Sequence, residues 1–493
     1  MRRRTLRSLI LAVSVAVRHV RGDPVRAAGL ALRLAPGPLR GPAARALARL
    51  PERDPHRVRG MRATDYGPAA VTVAVSAPHA HAAKPVARPV PGRVLHVVTN
   101  SLPYRHAGYT VRTHAIARAQ RAAGLDPQVV TRLGFPVAQG VWDGRPVQYV
   151  DAVPYHRLLP ALMPAAPAAA LARNAELAAR LVERIRPAVL HAATDHPNGR
   201  VALALGRSFG LPVVYEVRGF LEETWLTQSP GRSADSASYR ERRALETYCM
   251  READLVLTLG EAMKREIAGR GIPEEKIRVV PNAVDDVFLE PLPPAGELRA
   301  RLGIAPNEVV VGTVSTLAPH EGIGTLLEAA AELRRRGVPL RLLIVGDGPL
   351  RPALQRQAAE LGLTETALFT GRVPHAQVRA HHAVLDVFAV PRTGERVCHL
   401  VTPLKPVEAM ASGLPIAASD VKAMGELVED EVNGRLIPPE DPFSWADALE
   451  ILLYSPNQRR TMGDAARTRV ARDRTWAHIA ERTREAYRHL GAV

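Results

Sequence analysis

Short apolar runs that alternate with amphipathic helical stretches place the strongest constraint on the fold of this chain. The runs are too uniformly apolar for strands with one face in water, so they predict buried parallel strands. Parallel strands need helical crossovers, and the alternation therefore predicts doubly wound α/β sheets. The first series comprises residues 94–99, 128–131, 188–192, 212–217, 254–259 and 276–280, and the second comprises 308–314, 340–345, 367–370, 386–390 and 415–419.

A stretch in the second series shows how the strands connect. We predict a helix over residues 324–336, where one apolar stripe faces the core. Arginines in its last turn complement the helix dipole, and Gly337 allows the left-handed turn that ends it.

A proline-rich hinge at residues 290–297 separates the two series. We predict an N-terminal lobe over 93–290 and a C-terminal lobe over 291–475, each Rossmann-like. A C-terminal helix over 476–493 follows, with the first lobe as its expected packing partner. Because ligands of such sheets bind beyond the carboxyl ends of the strands, we expect the site in a cleft between the lobes.

Basic residues are concentrated at the start of the chain. Residues 1–90 hold 17 of the 66 Lys and Arg but 4 of the 49 Asp and Glu. This segregation argues against a nucleic-acid-binding protein with a basic binding face. Residues 1–62 fit a basic amphipathic helical extension that binds an anionic membrane surface, or solvated accessory helices whose arginines reflect a GC-rich genome. Residues 63–92, rich in Pro and Ala, predict a flexible linker.

The sequence contains no predicted transmembrane helix. The apolar run at residues 9–17 is too short to span a bilayer, and prolines interrupt the apolar stretch at 158–172. Two cysteines, Cys249 and Cys398, cannot form a disulfide framework, so a reducing compartment is expected. We therefore expect a cytoplasmic protein, with peripheral attachment to the inner face of the plasma membrane as the finer hypothesis.

Two glycine-containing loops follow predicted strands and are candidates for contact with an anion. Gly108 lies in the loop at 100–110, before a helix predicted at about 110–123, and Gly346 lies in the loop at 345–349. Glycine allows close approach of a ligand, and helix N-terminal amides attract negative charge. An ordinary tight turn explains Gly108 about equally well. The loop at 345–349 resembles a phosphate loop but lacks the spacing of a P-loop or a dinucleotide-binding fingerprint.

The segment at residues 401–420 is the most informative. A loop enters a helix at about Leu404, whose first-turn amides can hold a diphosphate. Lys405 adds positive charge beside them, and Glu408 lies one helical turn further along the same face. A carboxylate in this position can accept both hydroxyl groups of a ribose.

Histidines do not form a convincing metal site. His191, His381 and His382 have no carboxylate or cysteine cluster at ligand spacing around them, so core or surface roles are expected. Cys398 lies beside the predicted phosphate loop, and a packing role is the preferred interpretation.

Several motifs occur in a consistent order: SLPY and GYT, YEVRGF (215–220), VPNAVD, VGDGP, FTGRVP (369–374) and TPLKPVEAMASG. Together they resemble the retaining family 4 (group 1) glycosyltransferases, over about residues 93–475. An exopolysaccharide-associated subgroup is the most similar. The resemblance implies the GT-B fold, with two Rossmann-like lobes facing across a cleft. It also implies polysaccharide biosynthesis and chemistry that needs no metal or other cofactor. The resemblance places a nucleotide-sugar donor on the C-terminal lobe (291–475) and a glycan or lipid-linked acceptor on the N-terminal lobe (93–290).

The resemblance assigns residues only where the motifs match. Many family members have a catalytic-region His at the position of Arg218. The similar subgroup has Arg there, as this chain does. Thr316 and Glu321 stand where the family has an Arg and a Lys that grip the diphosphate, and Lys405 and Arg392 are the candidate replacements. The first of the family's paired glutamates is missing near residues 399–400, and Glu408 matches the second. The predicted catalytic residues are Arg218, Glu321 and Lys405, and the predicted donor-binding residues are Gly108, Ser315, Thr316, Gly346, Arg372, Val373, Arg392, Leu404, Lys405 and Glu408.

The sequence therefore indicates a retaining glycosyltransferase of the hexosyltransferase type. Arg218 and Glu321 are expected near the reacting carbon, and Arg372 and Val373 mark a base pocket. Two alternatives stay open. One is a catalytically inactive GT-B binding subunit of a polysaccharide assembly complex, which would not hydrolyse a donor. The other, less favoured, is a sugar-nucleotide epimerase.

Overall fold

The computed structural model describes residues 85–86, 88–229 and 231–493, which contain two largely parallel sheets. The first sheet has the strand order β3-β4-β2-β1-β5-β6-β7-β8. Its central strand β1 pairs in parallel with β2 and β5, and β3 runs antiparallel to β4. The strands are β1 (Arg93–Val98), β2 (Asp126–Thr131), β3 (Val147–Val150), β4 (Val153–His156), β5 (Val189–Ala193), β6 (Val213–Val217), β7 (Leu255–Thr258) and β8 (Ile277–Val279).

The second sheet has the order β11-β10-β9-β12-β13-β14, and every pair of neighbouring strands in it is parallel. Strand order reverses in this sheet between β9 and β12, and in the first sheet between β1 and β5. The strands are β9 (Val310–Val314), β10 (Arg341–Val345), β11 (Ala367–Gly371), β12 (Val387–Val390), β13 (Ile416–Ser419) and β14 (Gly434–Ile437).

Helices connect the strands, as parallel pairing requires. Those up to β8 are α1 (Gly108–Ala122), α2 (Pro167–Ile185), α3 (His196–Phe209), α4 (Leu221–Leu226), α5 (Ala237–Glu252) and α6 (Glu261–Gly269). The remaining helices are α7 (Gly296–Arg301), α8 (Ile323–Arg335), α9 (Arg351–Glu360), α10 (Val378–His382), α11 (Arg396–Leu400), α12 (Lys405–Ala411), α13 (Lys422–Gly425), α14 (Pro442–Tyr454), α15 (Pro456–Asp473) and α16 (Trp476–His489).

The fold class predicted from the sequence, two doubly wound α/β sheets, is confirmed. Each predicted strand is present within two residues of its expected ends. The predicted helix over 324–336 is α8, and Gly337, just beyond it, has a φ of 78°. Its apolar stripe is fully buried, which is worth about 1.5–3 kcal/mol for each large aliphatic side chain.

Strands β3, β4 and β14 were not expected from the sequence. Pro154 within β4 argues against a strand, but β4 is buried, Pro154 lies opposite Tyr149 of β3, and Tyr155 and His156 pair with β2. In β14, a Cβ atom on Gly434 would lie 2.2 Å from the carbonyl oxygen of Ile416. Glycine here therefore permits close pairing with β13, whereas an isolated glycine in a sequence is more often a turn signal.

The described residues form two compact units. The first comprises the residues up to 218, with 235–257 and 483–493, and the second comprises 219–234 and 258–482. The predicted boundary at 290 and 291 therefore does not coincide with a boundary between these units. The physical reason is that α6 is bound within the second unit, where the Glu426 carboxylate accepts hydrogen bonds from the backbone N–H groups of Glu261 and Ala262.

The second sheet is covered on both faces, which explains its uniformly apolar strands. Val310 and Val314 of β9 face one buried apolar cluster, and Val311 between them faces another. Such two-sided burial is expected of parallel sheets.

Within the described ranges, no helix combines the length and apolar character needed to cross a bilayer. The helix in the apolar stretch at 158–172 begins only at Pro167. The predicted basic extension at 1–62, and the predicted linker at 63–92 except for its last residues, lie outside the described part of the chain.

Candidate active site

The predicted donor-binding residues of the second unit follow the carboxyl ends of adjacent parallel strands. Because parallel strands end at the same edge of a sheet, these residues share one edge, and the loops after β9 and β12 flank the point where strand order reverses. Ligands of doubly wound sheets bind at this point. Ser315 and Thr316 follow β9, Gly346 follows β10, Arg372 and Val373 follow β11, and Arg392 follows β12.

The loops at this edge approach each other closely. Gly346 has a φ of 143°, and a Cβ atom on it would lie 1.8 Å from the carbonyl oxygen of Ser315. Its N–H group donates to the carbonyl oxygen of Gly371 at 3.0 Å. Gly322 shows the same relationship, since its Cβ would lie 1.8 Å from the carbonyl oxygen of Pro391. Tight packing alone therefore requires glycine at both positions.

The hydroxyl group of Ser315 is buried and has no hydrogen-bond partner among the described residues, whereas Thr316 is exposed. Arg372 is exposed, and Val373 packs against the apolar cluster of the sheet. These side chains leave an unused hydroxyl group and an exposed guanidinium group at the edge where a donor is expected.

Arg392 and Glu321 form an ion pair at the point of strand reversal. Nη2 of Arg392 lies 3.3 Å from Oε1 of Glu321, and its Nη1 donates to the carbonyl oxygen of Val401 at 3.0 Å. Burial alone would raise the pKa of Glu321, but the charge of Arg392 and a contact with His320 lower it. Arg392, predicted to hold phosphate, thus has a carboxylate partner within its own unit.

Lys405 and Glu408 form a second ion pair at the same sheet edge. Nζ of Lys405 lies 2.8 Å from Oε2 of Glu408, and Nε2 of His375 lies 3.2 Å from Oε1. The Glu408 side chain is only 4% exposed. Burial alone would raise its pKa, but Lys405 and the hydrogen bond from His375 outweigh burial and lower it to about 2. Glu408 is therefore an ionised acceptor at neutral pH.

Helix α12 offers fewer free amides than the sequence suggests. Leu404 is its N-cap residue, the helix has seven residues, and Pro406 in its first turn has no N–H group. The N–H groups of Val407 and Glu408 both donate to the carbonyl oxygen of Leu404. Positive charge at this end of the helix therefore comes mainly from Lys405.

Arg218 lies in the first unit and is bound on several sides there. Its Nε donates to Oε2 of Glu216 at 2.7 Å, and its Nη1 donates to the carbonyl oxygen of Tyr109 and to Oγ1 of Thr113, both in α1. Arg112 also donates to Glu216, through Nε and Nη2. Burial alone would raise the pKa of Glu216, but Arg218 and Arg112 hold it well below its usual value.

Gly108 is the first residue of α1, and a Cβ atom on it would meet open space. Its backbone conformation does not need glycine, since its φ is not positive. The role predicted for Gly108, which is to let a ligand approach the backbone closely, remains a prediction.

The histidines and Cys398 have local partners. His382 Nδ1 lies 2.9 Å from Oγ of Ser412, His381 Nδ1 lies 2.8 Å from the carbonyl oxygen of Gln377, and His191 lies beside Glu216. Across the described ranges, no group of His, Cys, Asp and Glu is arranged to hold a metal ion. Cys398 Sγ donates to the His320 carbonyl oxygen, and burial raises the pKa of its thiol.

Sequence reasoning missed His375, Glu216 and Arg112. His375 follows the FTGRVP motif directly, and Glu216 lies inside the YEVRGF motif. Their positions in these motifs were the only available signal. The contact between His375 and Glu408 joins residues 33 positions apart, and the contact between Arg112 and Glu216 joins residues 104 positions apart.

Two family models match this chain. The model described as "Glycosyl transferases group 1" matches residues 295–469, and the "Glycosyl transferase 4-like domain" matches residues 107–283. Together the two matches include every predicted site residue.

Curated relatives include a D-inositol 3-phosphate glycosyltransferase of Nocardia farcinica, 36% identical over 49% of this chain and 54% of the relative. An alpha-D-kanosaminyltransferase of Streptomyces kanamyceticus is 26% identical over 63% of this chain and 80% of the relative. A GDP-mannose-dependent mannosyltransferase of Mycolicibacterium smegmatis is 34% identical over 44% and 57%. The chain thus aligns with little more than half the length of the first and third relatives.

Solved structures with the same fold include a sucrose-phosphate synthase from Thermosynechococcus elongatus, with a TM-score of 0.66, 22% identity, and coverage of 81% of this chain and 99% of that one. HepE from Anabaena in complex with UDP-glucose has a TM-score of 0.64, 20% identity, and coverage of 80% and 99%. At these identities the likeness shows the fold alone. The family matches, the two doubly wound sheets and the ordered motifs together establish that the chain belongs to the group 1 (family 4) glycosyltransferases of the GT-B fold.

Proposed function

We propose that this protein transfers a sugar from a nucleotide-diphosphate sugar to a glycan or lipid-linked acceptor, with retention of anomeric configuration. The observation that carries the proposal is the pair of carboxylate–cation contacts at one sheet edge, Lys405–Glu408 and Arg392–Glu321, in which the carboxylates are largely buried. A nucleotide-diphosphate sugar presents ribose hydroxyl groups and a diphosphate, which require an ionised carboxylate and cations respectively.

Glu408 is the proposed ribose-binding residue. With Lys405 and His375 each occupying part of its carboxylate, the remaining lone pairs of the two oxygens are available to accept hydroxyl groups. His375 also limits rotation of the carboxylate, so the acceptor geometry is set before the donor binds. Ser315, Thr316, Gly346, Arg372 and Val373 complete the proposed donor surface.

Lys405 and Arg392 are the proposed ligands of the diphosphate. As the bond between the anomeric carbon and the diphosphate oxygen breaks, negative charge accumulates on the leaving group, and fixed cations in a buried site stabilise it. The acceptor oxygen then forms its bond on the same face, and its proton passes to a diphosphate oxygen. Glu321 is proposed beside the reacting carbon, and Arg218 is the proposed catalytic residue of the first unit.

The names of related proteins support a nucleotide-sugar donor. One relative is named as GDP-mannose-dependent, and one structure with the same fold is a complex with UDP-glucose. The acceptor class is proposed from relatives named for inositol phosphate and phosphatidylinositol mannoside substrates. The proposal also includes a role in polysaccharide biosynthesis, membership of the exopolysaccharide-associated subgroup, and chemistry that needs no metal.

One observation favours a second function. Both predicted phosphate ligands already have carboxylate partners, so the net charge of these four side chains is zero. A GT-B subunit that binds a nucleotide sugar without turning it over would tolerate such neutralisation. Turnover distinguishes this inactive binding subunit from an enzyme.

The test uses purified full-length protein. Its melting temperature is measured with UDP, GDP, ADP and the corresponding nucleotide sugars, since a ligand that binds the folded state raises it by mass action. Nucleotide diphosphate release from each stabilising sugar donor is then measured. Release of nucleotide diphosphate above a no-enzyme control supports transfer or slow donor hydrolysis. A raised melting temperature without release supports the binding subunit. If no nucleotide raises the melting temperature, both functions are contradicted.

A further inference from the structure

Buried polar side chains in the first unit connect Arg218 to the C-terminal helix α16. Oε2 of Glu216, which accepts the hydrogen bond from Arg218 Nε, lies 3.3 Å from Nε2 of His191. Nδ1 of His191 lies 2.6 Å from the hydroxyl oxygen of Tyr487. Glu216, His191 and Tyr487 are fully buried, so no water competes for these contacts.

The direction of each hydrogen bond follows from Gln120, which is also buried. Its amide nitrogen donates to Tyr487 at 2.9 Å and to Oγ1 of Thr483 at 3.0 Å, while its Oε1 lies 2.8 Å from Nε2 of His96. Because the Tyr487 oxygen accepts from Gln120, its own proton is directed to Nδ1 of His191.

That direction fixes the tautomer of His191. Burial lowers the pKa of His191, so the ring is neutral and carries one proton. With Nδ1 accepting from Tyr487, the proton resides on Nε2, which lies 3.3 Å from the carboxylate of Glu216. This contact is electrostatic, because Nε2 does not meet hydrogen-bond geometry. Glu216 is then surrounded by N–H groups alone, from His191, Arg112 and Arg218.

We propose that Tyr487 is a positioning residue that holds Arg218 in place through His191 and Glu216. This inference rests on the proposed function, in which Arg218 is the catalytic residue of the first unit. The hydroxyl group of Tyr487 contacts His191 and Gln120, so its action on Arg218 is transmitted by the orientation of the His191 ring.

Loss of the Tyr487 hydroxyl group has a defined consequence. His191 loses the hydrogen bond that orients its ring, although the Glu216 carboxylate still favours the proton on Nε2. The ring is then free to turn, and Glu216 loses an N–H group held beside it. The buried carboxylate settles against its remaining donors, so Glu216 shifts and Arg218 shifts with it. A displacement of about 1 Å in a catalytic group can reduce turnover by about 100-fold.

The test compares Tyr487→Phe with a matched control, Thr483→Val, in the full-length protein. Thr483 lies one turn earlier on the same helix, is equally buried, and also accepts a hydrogen bond from Gln120, whereas Nδ1 of His191 is bound to Tyr487. Three properties are measured: melting temperature, nucleotide release from the sugar donor, and the His191 tautomer by ¹⁵N chemical shift in histidine-labelled protein, assigned with His191→Gln.

We expect similar falls in melting temperature for both variants, a fall in turnover of about tenfold or more for Tyr487→Phe alone, and unchanged affinity for nucleotide diphosphate. His191 should carry its proton on Nε2 in both the wild type and Tyr487→Phe, and the Nδ1 signal should shift in Tyr487→Phe because that nitrogen no longer accepts a hydrogen bond. His191→Gln, whose amide can still donate to Glu216, should retain more turnover than His191→Leu.

Equal losses of turnover in the two helix variants, full activity of Tyr487→Phe, or a wild-type His191 protonated on Nδ1 would each overturn the proposal. If Tyr487→Phe does not fold, the comparison of the two His191 variants decides in its place. A wild-type protein that turns over no donor contradicts the proposed function instead, and the tautomer measurement still decides the hydrogen-bond chain.

Discussion

Nζ of Lys405 lies 2.8 Å from Oε2 of Glu408, so the residues proposed for the diphosphate and for the ribose of one donor are bound to each other. The pair spans one helical turn of α12 and is buried on the side of the carboxylate. Lys405 therefore serves two purposes in the proposed site. It keeps Glu408 ionised before the donor arrives, and it presents charge to the diphosphate.

The first prediction concerns Glu408 as the ribose ligand. Glu408→Ala should weaken nucleotide diphosphate binding by about 1.5–3 kcal/mol, because a hydrogen bond to a charged group has this value. Isothermal titration calorimetry measures the change. Glu440→Ala, which alters an exposed carboxylate that accepts from the Gly394 N–H group, is the control for a general effect of charge. Unchanged affinity in a folded Glu408→Ala protein would refute the assignment.

The second prediction concerns Lys405. Lys405→Ala should reduce donor turnover far more than Lys405→Arg, because the arginine retains positive charge at the start of α12. Initial rates of nucleotide release at saturating donor measure this difference. Lys422→Ala, on the neighbouring helix α13, controls for loss of a lysine elsewhere. A Lys405→Ala protein as active as wild type would show that another group stabilises the diphosphate.

The sequence was most informative about features that depend on residues close together in the chain. Apolar runs predicted the strands because each parallel strand is buried on both faces, and the spacing between Lys405 and Glu408 placed both on one helical turn. Partners of these residues were not predictable in the same way. His375 reaches Glu408 from the loop after β11, and Arg112 reaches Glu216 from another helix, so tertiary packing alone brings them together.

Tertiary contacts also explain why the partner of a charged residue and the domain boundary could not be predicted from the sequence. Arg392 was predicted as a replacement for the diphosphate clamp, and its contact with Glu321, which follows an adjacent strand of the sheet, was not expected. The domain boundary was placed at a proline-rich hinge, yet α6 is capped by Glu426 in the second unit. In both cases a contact between residues far apart in sequence decides the outcome.

The third prediction is a pH dependence of stability. The pKa of Glu408 is about 2 in the folded protein against 4.5 for an ordinary glutamate. A lowered folded-state pKa stabilises the protein above the unfolded value, and this contribution is lost as pH falls from about 4.5 toward 2. It amounts to about 3 kcal/mol at neutral pH. Urea unfolding should therefore show a large deficit of Glu408→Gln at pH 7 and a smaller one at pH 3, and equal deficits would contradict the assignment.

The fourth prediction concerns membrane attachment, which rests on the charge of the first residues rather than on described structure. Each Lys or Arg near an anionic surface contributes roughly 1 kcal/mol, so several together should hold the protein on acidic vesicles. Removal of residues 1–62 should abolish salt-sensitive flotation with phosphatidylserine vesicles and preserve nucleotide binding. Vesicles of phosphatidylcholine alone are the control. If the truncated protein floats as strongly as the full chain, the attachment lies elsewhere, and if neither form floats, the accessory-helix interpretation is preferred.

The fifth prediction tests the ion pair between Arg392 and Glu321. Glu321→Gln preserves the shape of the side chain but removes the charge that neutralises Arg392. Nucleotide diphosphate should then bind more tightly, by about 1 kcal/mol, because Arg392 no longer divides its charge between two anions. In the Arg392→Ala background the same substitution should give no gain, since the cation it releases is absent. If Glu321 lies beside the reacting carbon, Glu321→Gln should also reduce turnover while affinity rises. A variant with tighter binding and undiminished turnover would leave Glu321 as a regulator of affinity only, and a variant with weaker binding would contradict the proposed role of Arg392.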